Sequence, residues 1–129
     1  MTRCAFLAAA FTVCAALPSL SLAQAPRNFS ASALRGEIVV TAPPELLLNK
    51  QPARLAPGAR IRGMDNMLVL SGAAVGQRLI VNYTLDLHGH VLDMWVLTPA
   101  ELARKPWPAT PQEAASWSFN PDLQVWSKP

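Results

Sequence analysis

Cysteine is nearly missing from this sequence. Cys4 and Cys14 are its two thiols, and both fall within the first 23 residues. A chain that has lost those residues has no thiolate nucleophile, no zinc–thiolate site and no disulfide, so its stability has to come from a packed core. Histidine is almost as scarce, with His88 and His90 standing two apart and no others. Serine-based nucleophilic catalysis would have to use one of them. Ser71, Asp86 and His88 do occur in that order, but chain order carries little information and no Gly-x-Ser-x-Gly elbow accompanies them. Charge is also thin, at 15% of residues. With Arg3 set aside, ten basic residues face eight acidic ones, a net charge of +2, which is too mild for a nucleic-acid footprint. Asp86 and Asp93 are expected on opposite strand faces, which argues against a glycosidase carboxylate pair. Long apolar runs are absent too. The run from Cys4 to Leu17 has 14 residues and stops at Pro18, whereas about 20 are needed to cross a bilayer.

That run has the form of a secretory signal peptide: a short basic start at Arg3, an apolar core, a helix-breaking proline and small residues at Ser21 and Ala23. Cleavage is expected before Gln24, leaving a chain of 106 residues bound for the periplasm or the medium, with no transmembrane segment. The layout is similar to that of many small exported bacterial proteins, a likeness of composition that transfers no function. Residues 24–34 are polar and aperiodic and read as a flexible leader. Residues 35–105 read as the domain, and residues 106–129 as a segment packed on it.

Gly36 to Thr41 is a β-branched run closed by Pro43-Pro44, which predicts a strand. Glu45 to Leu48 predicts a second, Arg60 to Arg62 another after a type II turn at Pro57-Gly58, and Met67 to Leu70 a buried strand. Leu79 to Leu87 alternates strictly, with Leu79, Val81, Tyr83, Leu85 and Leu87 on one face. His88-Gly89-His90 predicts a hairpin loop into a strand from Val91 to Leu97. In the simplest register Tyr83 faces Trp95, and Asp93 points inward opposite Leu85 unless a bulge or the open rim relieves it. Thr98-Pro99-Ala100-Glu101 and Thr110-Pro111-Gln112-Glu113 are two helix starts with the pattern of a capping box, with helices expected to about Lys105 and Trp117. The fold class is therefore mainly β (α+β): a small antiparallel sheet or partly open barrel of five or six strands with two short C-terminal helices.

Three groups are candidates for function. His88 and His90, with Asp86 and Asp93 nearby, offer a metal-binding hairpin tip for copper, nickel or zinc, though structural sites usually want four ligands. Arg54, Arg60 and Arg62 gather positive charge that could meet an anionic surface polymer, or simply solubilise a face. The last 24 residues hold five prolines and Trp107, Trp117 and Trp126, a composition suited either to binding a partner or to covering the chain's own sheet. With no complete catalytic set and no cofactor motif, the sequence favours a non-enzymatic envelope protein that binds another protein or a surface polymer. The alternative is a periplasmic metal-binding protein, and an uncapped strand edge would also allow a dimer.

Overall fold

A computed structural model describes Ala16 and residues 26–129. The expected signal peptide and its cleavage site lie outside the described residues. Among the described residues no helix is long and apolar enough to cross a membrane.

The chain is mainly β, as its alternating apolar runs require. Strands β1 (Leu34–Ala42), β2 (Glu45–Leu48) and β3 (Gln51–Arg62) follow one another as an antiparallel meander. β4 (Leu68–Val69) pairs with the end of β3, and a single 3-10 turn at Ser71–Ala74 leads to β5 (Arg78–Leu85) and β6 (Val91–Val96). The pairings run round a ring, β1–β2–β3–β6–β5 and back to β1, with β4 as an edge. The sheet is mixed rather than wholly antiparallel, because β3 and β6 run parallel. Their register shifts between Leu55 and Arg60, so the sheet curls into a distorted rather than regular barrel.

That shift sits at Pro57-Gly58. Gly58 adopts φ 76°, as a type II turn would ask, but the residues bend one continuous strand instead of joining two. One half of β3 thereby pairs with β2 and the other with β6. A bend lets a single strand close a small ring without an extra connection.

The β5–β6 hairpin forms with a bulge between Tyr83 and Leu85. Tyr83 pairs with Met94 and Asn82 with Trp95, so the Tyr83–Trp95 pairing expected from the simplest register does not form. Sliding a strand by one residue exchanges its faces. Met94 and Val91 turn inward, each fully buried, while Asp93 turns out to Arg60 and Arg62. The bulge thus resolves the conflict at Asp93. Leu85 and Leu87 lie past it and are exposed, although the alternation put them in the core.

Two apolar clusters cover the two sides of this hairpin. The inner one gathers Ile38, Val40, Leu46, Ile61, Val81, Tyr83, Val91 and Met94. The outer one gathers Phe29, Ala33, Leu97, Trp107 and Trp126, with Trp95, Trp117 and Phe119 packed against it. It joins Phe29 and Ala33, near the start of the described residues, to the end of β6 and the C-terminal segment. Residues 26–34, expected as a flexible leader, are docked here instead: Phe29 and Ala33 are buried, and Arg35 N donates to Pro108 O at 2.9 Å. Aromatic contacts give the reason, since Phe29 meets both Trp95 and Trp107 edge-on.

Helices α1 (Pro99–Leu102) and α2 (Pro111–Ser116) begin where their threonine caps predict, and β7 (Ser118–Asn120) pairs with β8 (Val125–Ser127) to close the tail. At Thr98 both halves of the capping box form; at Thr110 the side chain accepts from the Glu113 backbone N–H. α1 stops short of Lys105, since Arg104 and Lys105 lead into the Pro106-Trp107-Pro108 stretch laid on the sheet.

Candidate functional site

The connection from β3 to β5 carries the feature that packing leaves unexplained. Met67 to Leu70, expected as a buried strand, is an exposed lip: Met67 is 67% exposed, Leu68 68% and Leu70 82%. β4 is a two-residue edge, and of this stretch Val69 is the side chain that reaches the inner core. Local hydrogen bonds fix the lip's shape. Gly63 N donates to Met67 O and Asn66 N to Gly63 O, while the Asp65 carboxylate accepts from Met67 N. Asn66 completes the turn at φ 64°. The far end is anchored by buried Ala74 and by a bond from Gly76 N to Val40 O. Met64 and Val75, at the two ends, are exposed as well. Several exposed apolar side chains close together on a held scaffold are a feature of interaction surfaces, and methionine adapts readily to a partner's shape.

Clefts flank the lip on both sides. The smaller, about 320 Å³, is framed mainly by apolar side chains, among them Pro43, Pro44, Ile61, Val69 and Leu70. The larger, about 810 Å³, lies between Met64 and Trp95 and is lined by Arg27, Arg62, Arg104 and Glu101. Its volume is within the range of small-molecule sites.

An arginine cluster forms the wall of the larger cleft. Arg27 donates from Nε to Glu101 Oε2 at 2.9 Å, from Nη2 to Glu101 Oε1, and also to the carbonyls of Gly63 and Val96. Arg104 Nη1 donates to Arg27 O at 2.9 Å. Arg35, behind them, donates to Asn82 Oδ1 and to the carbonyls of Glu101, Leu102 and Arg104, with its guanidinium 5.2 Å from the Trp107 ring centre. Of these three guanidinium groups Arg27 alone is paired with the Glu101 carboxylate, while Arg35 and Arg104 donate to backbone carbonyls. The crowding is felt by Arg35, whose pKa is lowered first by burial and then by the charge of Arg104, with Glu101 opposing.

The residues singled out from sequence divide as follows. Arg60 and Arg62 both turn to Asp93, at 3.2 and 3.9 Å, while Arg54 pairs with Glu45 on the other half of β3, so the three do not form one face. Arg62 alone of them reaches the larger cleft. Trp107 and Trp126 are buried in the outer core, and Trp107 Nε1 donates to Ala33 O. Trp117 keeps an accessible side, with Lys128 Nζ 5.2 Å from its ring centre. The His88 and His90 rings lie 6.2 Å apart at the hairpin tip, where Gly89 takes φ 78°. Asp86 Oδ1 accepts the backbone N–H groups of both histidines. Among the described residues no three His, Cys, Asp or Glu side chains converge as a metal site would need.

Sequence reasoning missed Arg27, Arg104, Glu101 and the exposure of the lip. Glu101 was visible as a capping residue, but nothing in the spacing joins residues 27, 35 and 104. Comparison with family models, with characterised proteins and with solved structures found no match.

Proposed function

We propose that this chain is a small exported, non-enzymatic protein of the cell envelope that holds an apolar segment of another protein against the lip from Met64 to Leu70. The single observation behind this reading is the exposure of Met64, Met67, Leu68 and Leu70 together on a connection pinned at both ends. Covering a side chain of this size is worth about 1.5 to 3 kcal/mol. A fold that leaves several uncovered has forgone that stabilisation where a partner can recover it. The apolar cleft beside Leu70 offers a place for one inserted side chain. The form of residues 1–23 supports export.

The test is site-specific photo-crosslinking in cells, with the crosslinking residue at Leu70 and, as control, at Gln112. A discrete adduct from Leu70, lost in an L68S/M67S double variant that melts like the parent, supports the reading. Equal labelling at both positions, or an adduct indifferent to the double variant, overturns it. An adduct of the chain with itself replaces the partner by a second copy.

A lesser reading is metal binding at the hairpin tip. Its support is the adjacency of the two rings and the 4.0 Å approach of His90 Nδ1 to Asp86 Oδ2. It ranks second because Asp86 Oδ1 already accepts two backbone N–H groups. Titration with copper, nickel and zinc decides it: tight binding abolished in an H88A/H90A variant carries the reading, and affinity unchanged by the substitutions removes it.

A further inference from the structure

The geometry points to the larger cleft as a second binding site, for a small ligand that joins an oxyanion, either phosphate or carboxylate, to a flat apolar body. Charge balance in the cleft favours an anion. Arg27, Arg62 and Arg104 line the cleft, and Arg35 stands directly behind. The carboxylate in their midst, Glu101, is buried and committed to Arg27 and the α1 cap. Asp93, near Arg62, is shared with Arg60 and lies closer to it. Asp65 is the remaining carboxylate on the lining. It sits exposed at the rim, with one oxygen accepting from Met67 N. Glu101 balances Arg27, and the Arg27 and Arg35 donors are already directed to protein acceptors. Arg62 and Arg104 therefore supply the excess positive charge of this partly enclosed cleft, and their planar donor forks match phosphate and carboxylate.

The apolar half of the ligand follows from Trp95 and Met64. Trp95 is half-buried, held edge-on by Phe29, and lines the cleft together with exposed Met64. An indole braced by a second ring loses little freedom on binding and offers a surface for a flat group. This site is separate from the apolar cleft beside Leu70, and it stands or falls independently of the proposed protein partner.

The probes are phenyl phosphate, benzoate, inorganic phosphate and the uncharged benzyl alcohol, followed by amide and indole NMR shifts. Phenyl phosphate or benzoate should move the amides of Gly63 to Asn66 and of Ala100 and Glu101, together with the Trp95 indole N–H. Inorganic phosphate should bind more weakly, and benzyl alcohol should leave the cleft unmoved. A preference for phosphate or for carboxylate assigns the head group, and either supports the site. Arg62→Gln should weaken binding about tenfold, as loss of a charge-assisted hydrogen bond implies, and Arg104→Gln likewise if it melts as the parent does. Binding unaffected by Arg62→Gln, equal binding of benzyl alcohol, shifts confined to other surfaces, or no shifts at millimolar probe overturns the proposal.

Discussion

Glu101 grips Arg27 with both carboxylate oxygens while its own backbone carbonyl accepts a bond from Arg35. The pair joins a residue of the N-terminal segment to the first turn of α1, and both side chains are nearly out of water. Glu101→Gln would leave the buried Arg27 guanidinium without its counter-charge. A buried pair broken on one side costs about 3 to 5 kcal/mol. The loss read from urea unfolding should fall near the lower end, since glutamine can still accept from Thr98 N. A loss under about 1 kcal/mol would mean that the ion pair contributes no more than an exposed one.

The same pair sets an acid limit. Burial pushes the Glu101 carboxyl up, but the hydrogen bonds from Arg27 and from the Thr98 backbone, with the Arg27 charge, outweigh it and hold its pKa below the ordinary 4.5. Because the folded value is the lower one, the stabilisation is complete above the unfolded value and is lost as pH falls through the folded one. The stability gap between the parent and the Glu101→Gln variant should therefore be constant from neutral pH down to about 5 and narrow below that. Asp86 is also lowered, first by the His90 backbone N–H, so both proteins should share a further acid loss in the same window. A gap that widened in acid would contradict the assignment.

Trp107 is predicted to be the most costly side chain of the tail. It meets Phe29, Phe119 and Trp126 edge-on and donates to Ala33 O at 3.0 Å. Trp107→Ala should cost about 3 to 5 kcal/mol. Trp107→Phe keeps much of the apolar contact but strands a buried carbonyl, for about 1 to 2 kcal/mol. Ending the chain at Lys105 removes Trp107, Phe119 and Trp126 together and should abolish the cooperative unfolding transition in urea. A truncated chain that still unfolds cooperatively would show that the outer core is dispensable.

Gly58 and Gly72 form a controlled comparison. A Cβ at either meets no atom within 4 Å, but Gly58 sits at φ 76° and Gly72 does not sit in that region. Gly58→Ala should lose about 1 kcal/mol from backbone strain alone. Gly72→Ala, free of strain, should gain about 0.5 kcal/mol by restricting the unfolded chain. Equal melting of the two variants would mean that the β3 bend relaxes without cost.

What could be read beforehand followed local rules. β1, β2 and the threonine-capped helix starts are visible because alternation, proline and capping patterns act within a few residues. The β5–β6 hairpin was visible in place but not in register, because the bulge after Tyr83 depends on what β1 and β3 do on either side of it. The parallel pairing of Ile61 with Met94 leaves no local mark. Residues 26–34 looked mobile because their few apolar groups have no period. Phe29 is ordered by tryptophans far along the chain. Met67 to Leu70 misled in the opposite sense, since an apolar run says that burial would be favourable and not that the fold provides it. For the cleft, Arg62 was within reach as part of a basic cluster and Thr98 and Glu101 as capping residues, but nothing local said that they would meet.

Phe29 N donates to the side-chain oxygen of Gln124, and Gln124 Nε2 donates back to Phe29 O. One glutamine, itself buried, thus behaves toward the N-terminal segment as a neighbouring strand would. The segments around Phe29 and Gln124 thereby meet at one seam on the outer core. Loosening of either segment strips hydrogen-bond partners from the other, so within the described residues the two are coupled. A load drawing these two segments apart would be resisted by that single amide together with the Arg27 bonds to Glu101.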